Sequence, residues 1–139
     1  MYLLDTNVVW ELRKAKAGKA DKNVAKWASE AAVPSLFLSA ITILELEIEV
    51  LLIERHDAVQ GAVLREWLEG HVLTAFSQRV LPVDTAVAQR AARLQVPDPR
   101  SDRDAIIAAT AVVHGMAVVT RHTAHFERTG VEIINPWAG

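Results

Sequence analysis

The sequence predicts an α/β domain in which helices cover both faces of a mostly parallel sheet. Short runs rich in Val, Ile and Leu alternate with longer segments of helical periodicity. The short runs are also nearly continuously apolar, as strands are when helices cover both of their faces. Regular alternation of such strands with helices is typical of a layered α/β sandwich.

Five strands and six helices are predicted. The strands cover residues 2–4, 36–39, 79–83, 117–120 and 132–134, and the helices cover residues 7–15, 22–31, 40–55, 57–77, 85–95 and 102–114. Asp84 is placed to cap the helix that follows it, and Gly115 suits the C-terminal end of the last helix. Pro97 and Pro99 end the fifth helix and set a turn before Ser101.

Residues 44–50 are ambiguous, because Leu-Glu-Leu-Glu-Ile-Glu-Val alternates with the period of a strand. A helix is favoured because the apolar-rich stretch, residues 41–53, is too long for an average strand and Leu and Glu are good helix formers. As a helix the segment would bury one face and place two acids on another. The expected buried residues are Leu44, Ile48, Leu51 and Leu52, and the acids are Glu45 and Glu49.

An apolar stripe along the helix over 57–77 has two interpretations. It consists of Val63, Leu64, Trp67, Leu68 and Val72. Spacing of this kind is typical of core packing, but part of the stripe, with Trp27 or with Leu51 and Leu52, could instead cover a partner protein or a second copy of the chain.

Composition indicates a single globular domain over residues 1–139, with 51% apolar and 23% charged residues. The absence of cysteine excludes disulfides, zinc–thiolate sites and cysteine nucleophiles. No stretch approaches the ~20 apolar residues of a membrane span, and no signal peptide is evident at the N-terminus, so the cytoplasm is expected.

A run of basic residues stands out against the net charge of −2. It contains Arg13, Lys14, Lys16, Lys19, Lys22 and Lys26, opposed only by Asp21. The net charge argues against non-specific coating of nucleic acid. The run could neutralise phosphates or could be the solvated surface of a helix–loop–helix.

Four metal-capable side chains, Asp5, Glu45, Asp104 and His122, recur near the starts of segments. Groups that follow parallel strands meet at one edge of the sheet. Three carboxylates brought together there repel one another unless a cation joins them, which indicates a hard, oxygen-liganded metal.

Each acid also has a structural explanation. Asp5 could cap the first helix, and Thr42 with Glu45 matches a capping box, as does Ser101 with Asp104. Asp84 and Asp102 are interpreted as caps alone. The joint pattern favours a site, because Glu45 and Asp104 are embedded in apolar helices where a carboxylate is expected only if it faces a cleft.

Four segments in order resemble the motifs of PIN-domain nucleases: residues 3–9, 39–46, 104–111, and 119–126 together with 135–137. Their order, their spacing and the total length are similar to the VapC and FitB branch of bacterial toxin–antitoxin systems. The resemblance implies an α/β/α fold with a four- or five-stranded, mainly parallel sheet. It also implies an Mg²⁺- or Mn²⁺-dependent endoribonuclease, neutralised by a small DNA-binding antitoxin and forming a homodimer.

By the same resemblance Asp5, Glu45 and Asp104 become metal ligands, direct or through water. Thr6, Asn7 and Thr120 become groups that orient those carboxylates, and Arg121 is expected to contact substrate phosphate. A water activated by the metal would attack phosphorus in line and leave 5′-phosphate and 3′-hydroxyl ends.

His122 departs from the family pattern, which usually has Asp or Asn at this position. Imidazole can ligate Mn²⁺, act as a general base or donate a hydrogen bond to a carboxylate, so His122 is expected in the site with its role open. The loss of an acid makes a second metal ion less expected. The other histidines are interpreted as ordinary surface or packing residues: His56, His71, His114 and His125.

Two other functions share part of this pattern. A phosphatase of the haloacid dehalogenase type needs a second acid two residues after the first, where this chain has Asn7. That rival is discounted. A catalytically weak PIN-like module that binds protein or RNA stays open, because a site that has lost an acid can have lost activity.

Overall fold

The computed structural model describes residues 1–139 and contains a five-stranded, all-parallel sheet. Its strands are β1 (Tyr2–Leu4), β2 (Leu36–Ser39), β3 (Val80–Leu81), β4 (Ala117–Val119) and β5 (Ile133–Ile134), and they lie in the order β3-β2-β1-β4-β5. β1 is therefore central, with Leu3 paired to Phe37 on one side and to Val118 on the other. The predicted α/β/α class and parallel sheet are confirmed.

Seven helices connect the strands. They are α1 (Thr6–Arg13), α2 (Lys22–Glu30), α3 (Ala40–His56), α4 (Ala58–Glu66), α5 (Leu73–Ala75), α6 (Thr85–Arg93) and α7 (Asp102–His114). All six predicted helices are present. The long one predicted over 57–77 is divided into α4 and α5 by a π-helical stretch, Trp67–Val72. No helix combines the length and the apolarity needed to cross a membrane.

The core lies on both faces of the sheet, as the continuous apolarity of the strands predicts. Leu3 and Leu4 are both fully buried although neighbouring residues of a strand point to opposite faces. Leu4 packs with residues of α1, α3 and α4, whereas Leu3 packs against α7 and Phe126. β1 is therefore covered on both sides, which holds its carboxyl end in a fixed position.

The predicted buried face of α3 is wrong, although the helix itself is present. α3 buries Thr42, Leu46 and Val50, which are spaced four residues apart. Leu44, Leu51 and Leu52 are 45%, 51% and 53% exposed, and Ile48 is only partly buried. Because α3 carries apolar residues nearly all round, the periodicity of the sequence does not select the face that meets the sheet.

Helix ends agree with most of the predicted caps. Asp84 accepts a hydrogen bond from the backbone N–H of Val87 at 3.0 Å, and Gly115 ends α7 in the left-handed conformation, with φ of 67°. Asp102 is not a cap: Ser101 holds the N-cap position, and the Asp102 carboxylate instead accepts a bond from the Gln95 amide at 3.0 Å.

α3 and α4 form a tight helical hairpin. Gly61 of α4 lies against the backbone of α3, where a Cβ atom would come within 2.7 Å of Glu54 Cα. Arg65 joins the same two helices by binding Glu47 at 2.6 Å and Glu54 at 2.9 Å. Its hydrogen bond to Glu54 lowers the pKa of that carboxyl. Close backbone approach and the ion pairs together hold α3 and α4 against each other.

Candidate active site

The four metal-capable side chains predicted from the sequence line one cleft of about 940 Å³. Asp5 directly follows β1, and Glu45 lies in the second turn of α3, which begins directly after β2. Asp104 lies in the first turn of α7, and His122 lies just beyond β4. Because these strands are parallel, their carboxyl ends meet at one edge of the sheet and bring together residues distant in sequence.

Asp5 is held by hydrogen bonds on both carboxylate oxygens and is 6% exposed. Oδ1 accepts the backbone N–H of Thr6 at 2.8 Å, so Asp5 also caps α1. Oδ2 accepts the Asn7 amide at 3.0 Å and the Thr120 hydroxyl at 2.8 Å. The cap and the cleft residue are therefore the same side chain.

Asn7 and Thr120 tie the segment after β4 to the start of α1. The Asn7 side-chain oxygen accepts the backbone N–H of Arg121 at 3.0 Å, and Thr120 Oγ1 accepts the backbone N–H of His122 at 3.0 Å. The Asn7 amide also donates to Thr120 Oγ1 at 3.3 Å. These bonds hold residues 120–122 against Asp5.

Glu45 is positioned by a hydroxyl group from α1. Its Oε1 accepts the Thr6 hydroxyl at 2.6 Å, and its Oε2 lies 3.8 Å from the Arg103 guanidinium. Burial raises the pKa of Glu45, and the negative charges of Asp5 and Asp104 raise it further, against the opposing effects of Thr6 and Arg103. Glu45 does not form the predicted capping box, because α3 begins at Ala40 and Thr42 lies inside the helix.

Asp104 is paired with a histidine that the sequence analysis assigned to the ordinary surface. His125 Nδ1 lies 3.3 Å from Asp104 Oδ2, so that interpretation of His125 is wrong. Burial raises the pKa of Asp104, and Asp5 adds to this, while His125 and His122 act against it. Ser101 makes no side-chain capping bond, so the second capping box is absent as well.

His122 and His125 form a stacked pair at the edge of the cleft. Their ring centroids are 4.9 Å apart and their planes differ by 14°. The short 3₁₀ turn Thr123–Phe126 brings residues that are three apart in sequence onto the same side. The three-residue spacing of His122 and His125 is the one feature of the sequence that links the two rings.

Arg121 also lines the cleft, where its guanidinium lies over the ring of Trp137 at 5.3 Å. Arg103 also lines the cleft, although no sequence motif marks it as a site residue. The two guanidinium groups place positive charge beside the acids. A negatively charged substrate could therefore enter without facing carboxylates alone.

The donor set suits a hard divalent cation that keeps much of its water. Asp5, Glu45 and Asp104 offer carboxylate oxygens. Burial raises the pKa of both Glu45 and Asp104, and the negative charge of Asp5 raises each of them further. No three metal-capable side chains surround one point in this conformation. Mg²⁺ commonly binds through one or two carboxylates and several waters, so these residues fit such an ion.

The family profile, the related sequences and the solved structures that match this chain agree with one another. The profile described as PIN domain matches residues 2–132. The chain is 40% identical to "VapC ribonuclease Y4jK" of Sinorhizobium fredii, over 99% of this chain and 98% of that protein. The crystal structure of FitAcB from Neisseria gonorrhoeae matches with a TM-score of 0.88 and 34% identity, over 99% of both chains. A toxin–antitoxin complex from Klebsiella pneumoniae matches with a TM-score of 0.68 and 26% identity, over 98% of both chains.

Proposed function

This chain belongs to the PIN-domain family, and we propose that it is the endoribonuclease toxin of a toxin–antitoxin pair. One domain over residues 1–139 would form the toxin. The relative from Sinorhizobium fredii, similar over nearly its whole length, is named a VapC ribonuclease. One observation of this structure supports the proposal most directly: Asp5, Glu45 and Asp104 line one cleft. Hydrogen bonds from Asn7 of α1 and from Thr120, just after β4, hold Asp5 in place.

Asp5, Glu45 and Asp104 would hold Mg²⁺ or Mn²⁺, directly or through water. When bound, the cation lowers the pKa of a coordinated water and offsets charge that develops on the phosphoryl oxygens. The Thr120 hydroxyl and the Asn7 amide keep Asp5 in one orientation, and the Thr6 hydroxyl does the same for Glu45. Arg121 and Arg103 would contact phosphate, and attack by water would leave 5′-phosphate and 3′-hydroxyl ends.

The stacked pair of histidines would take the place of a fourth acid beside Asp104. His125 contacts Asp104 directly, and His122 stacks on His125. With one acid fewer, the site carries less negative charge, which favours one metal ion over two.

We further propose that a small DNA-binding antitoxin neutralises the protein. The protein would form a homodimer and act in the cytoplasm. The Klebsiella pneumoniae chain that shares this fold was solved in a toxin–antitoxin complex. An antitoxin would have to keep RNA out of the cleft. The alternative function is a catalytically weak module that binds RNA or protein, and it is favoured by His122 at a position where the family usually has an acid or an amide.

Cleavage of a mixed small-RNA pool tests the proposal. We expect cleavage with Mg²⁺ or Mn²⁺, its loss in excess EDTA, and a loss of about 100-fold or more in Asp5→Asn. Asn caps helices as well as Asp does, so the variant should fold, which circular dichroism and thermal unfolding would check. If wild type and a folded Asp5→Asn cleave alike, the nuclease assignment of this cleft fails and the binding module becomes the better description.

A further inference from the structure

A second groove adjoins the cleft and is lined by basic side chains. This basic groove has a volume of about 780 Å³, and Arg13, Lys14, Lys16 and Lys19 lie along one side of it. Five of its eleven lining residues are apolar, Trp67 among them. It lies between the end of α1 with its following turn and the segment from α4 into the π-helical stretch. We infer that the basic groove binds the RNA strand that flanks the scissile bond, an inference that rests on the proposed nuclease function.

The basic groove and the cleft share a wall. Lys14 lines both of them. Trp10 lines the cleft and Trp67 lines the groove, and their rings stack with centroids 4.7 Å apart. A strand whose scissile phosphate lies among the acids can therefore continue past Lys14 into the groove without crossing a separate surface.

The charge of the groove suits phosphates. Four of its residues are Arg or Lys, and Glu66 is its only acid. Lys14 is paired with Glu11 at 3.2 Å, whereas Lys16 and Lys19 are exposed and have no acid within 4.0 Å. In a chain of net charge −2, this is a local concentration of unpaired positive charge beside an acidic cleft.

The turn that carries the lysines is ordered by its own backbone. Lys19 N–H donates to Lys14 C=O at 3.1 Å, and Gly18 N–H donates to Ala15 C=O at 3.1 Å. Gly18 has φ of 69°, a conformation that favours glycine and returns the chain sharply after the 3₁₀ turn Ala15–Ala17. Arg13 is held over the ring of Trp67 at 5.9 Å. The backbone that carries Lys16 and Lys19 is therefore already ordered before binding, which lowers the entropy lost when RNA binds.

The structure divides the basic run of the sequence into two parts. Arg13, Lys14, Lys16 and Lys19 line the basic groove, whereas Lys22 and Lys26 lie on α2 and line neither the groove nor the cleft. This division provides a matched control, because two lysines from the same run can be neutralised without changing the groove.

The test compares Lys16→Gln/Lys19→Gln with Lys22→Gln/Lys26→Gln, each in an Asp5→Asn background that prevents cleavage. Fluorescence anisotropy with an unstructured, labelled RNA would give the affinity at several salt concentrations. We expect the groove variant to bind more weakly, with the slope of log K against log salt shallower by about 1.4, since each contact with single-stranded RNA contributes about 0.7. The control should keep the affinity and slope of its parent.

A second measurement separates this inference from the proposed function. Hydrolysis of bis(p-nitrophenyl) phosphate by wild type, a diester small enough to occupy the cleft alone, tests the nuclease site without the groove. If wild type hydrolyses this diester and RNA but the groove and control variants bind RNA equally, the groove inference is overturned and an acidic protein segment becomes its better occupant. If wild type hydrolyses neither, the proposed function fails, whatever the groove binds.

Discussion

The carboxylate of Asp5 both caps α1 and lines the cleft. Its Oδ1 caps α1, and its Oδ2 accepts the Thr120 and Asn7 donors in the cleft. One carboxylate can do both because it has two oxygens, and because the N-terminus of a helix favours negative charge. A capping explanation for an acid that follows a strand therefore does not argue against a functional one.

Thr120 is predicted to be a positioning residue. Thr120→Val should lower RNA cleavage by about 10- to 100-fold, because Asp5 loses a donor that orients it. The same change should lower the free energy of unfolding by about 1–3 kcal/mol, because the backbone N–H of His122 loses its acceptor. Thr120→Ser keeps the hydroxyl and should restore both cleavage rate and urea stability. A valine variant that cleaves like wild type would show that this hydroxyl does not position Asp5.

Glu45 should make stability depend on pH when no cation is present. Its pKa is raised above the ordinary value of 4.5, mainly by burial. Above that value the folded protein retains a proton that the unfolded chain has lost, so the contribution of Glu45 to stability decreases as pH rises through this window. In EDTA, Glu45→Gln should therefore gain stability relative to wild type as the pH rises above 4.5.

Urea unfolding of both proteins across this range measures the difference, in which the titration of all other groups largely cancels. Saturating Mg²⁺ should reduce it, because a bound cation offsets the carboxylate charge. A difference that does not change with pH would show that Glu45 is ionised as easily in the folded protein as in the unfolded chain.

Two site residues could not be recognised from the sequence. His125 and Arg103 lie in segments whose apolar pattern indicates only a turn and a helix start, and neither belongs to a motif that demands its residue type. Asp5, Glu45 and Asp104 were recognisable because a carboxylate after a buried strand or inside an apolar helix is unusual. A charged residue within an apolar segment is thus easier to identify from the sequence than a residue that reaches the site only through the fold.

Hydrophobic periodicity predicts which segments are helices better than it predicts which face of a helix is buried. The strands were predictable because β1, β2 and β4 are short and apolar on both faces. The buried face of α3 was not, since Leu44, Leu51 and Leu52 are as apolar as the Leu46 and Val50 that meet the sheet. The choice between those faces depends on where α4 packs, which is a property of the tertiary structure.

Gly61 should be required for the close packing of α3 and α4. Gly61→Ala should lower the free energy of unfolding by about 1–3 kcal/mol, because the added Cβ would lie 2.7 Å from the Glu54 backbone. Gly70 is the control: its Cβ would meet only the flexible end of Glu66, so Gly70→Ala should be neutral or stabilising by up to about 1 kcal/mol. Urea unfolding of both variants tests this, and equal effects would rule out a specific backbone contact at Gly61.

We predict that two copies of the chain form a homodimer through the exposed side of α3. Leu51 and Leu52 are more than half exposed although they belong to an apolar helix. Leu51→Glu/Leu52→Glu should convert a dimer into a folded monomer, because a buried, unpaired carboxylate is strongly unfavourable at an interface.

Light scattering after size exclusion gives the mass of each variant. Val96→Glu, which changes an apolar residue that is 77% exposed on a loop, serves as the control and should leave the mass unchanged. Equal masses for wild type and the α3 variant, with both folded, would place any dimer contact elsewhere on the molecule.

The hydrogen bond from Thr120 to Asp5 joins residues that are 115 positions apart. A ribosome that adds about 5–20 residues per second needs on the order of ten seconds to travel that distance. During that interval β1 has neither β4 beside it nor the hydroxyl that orients its acid, so the emerging chain has no assembled cleft. Under the proposed function, an unfinished polypeptide that lacks β4 is therefore expected not to cleave RNA.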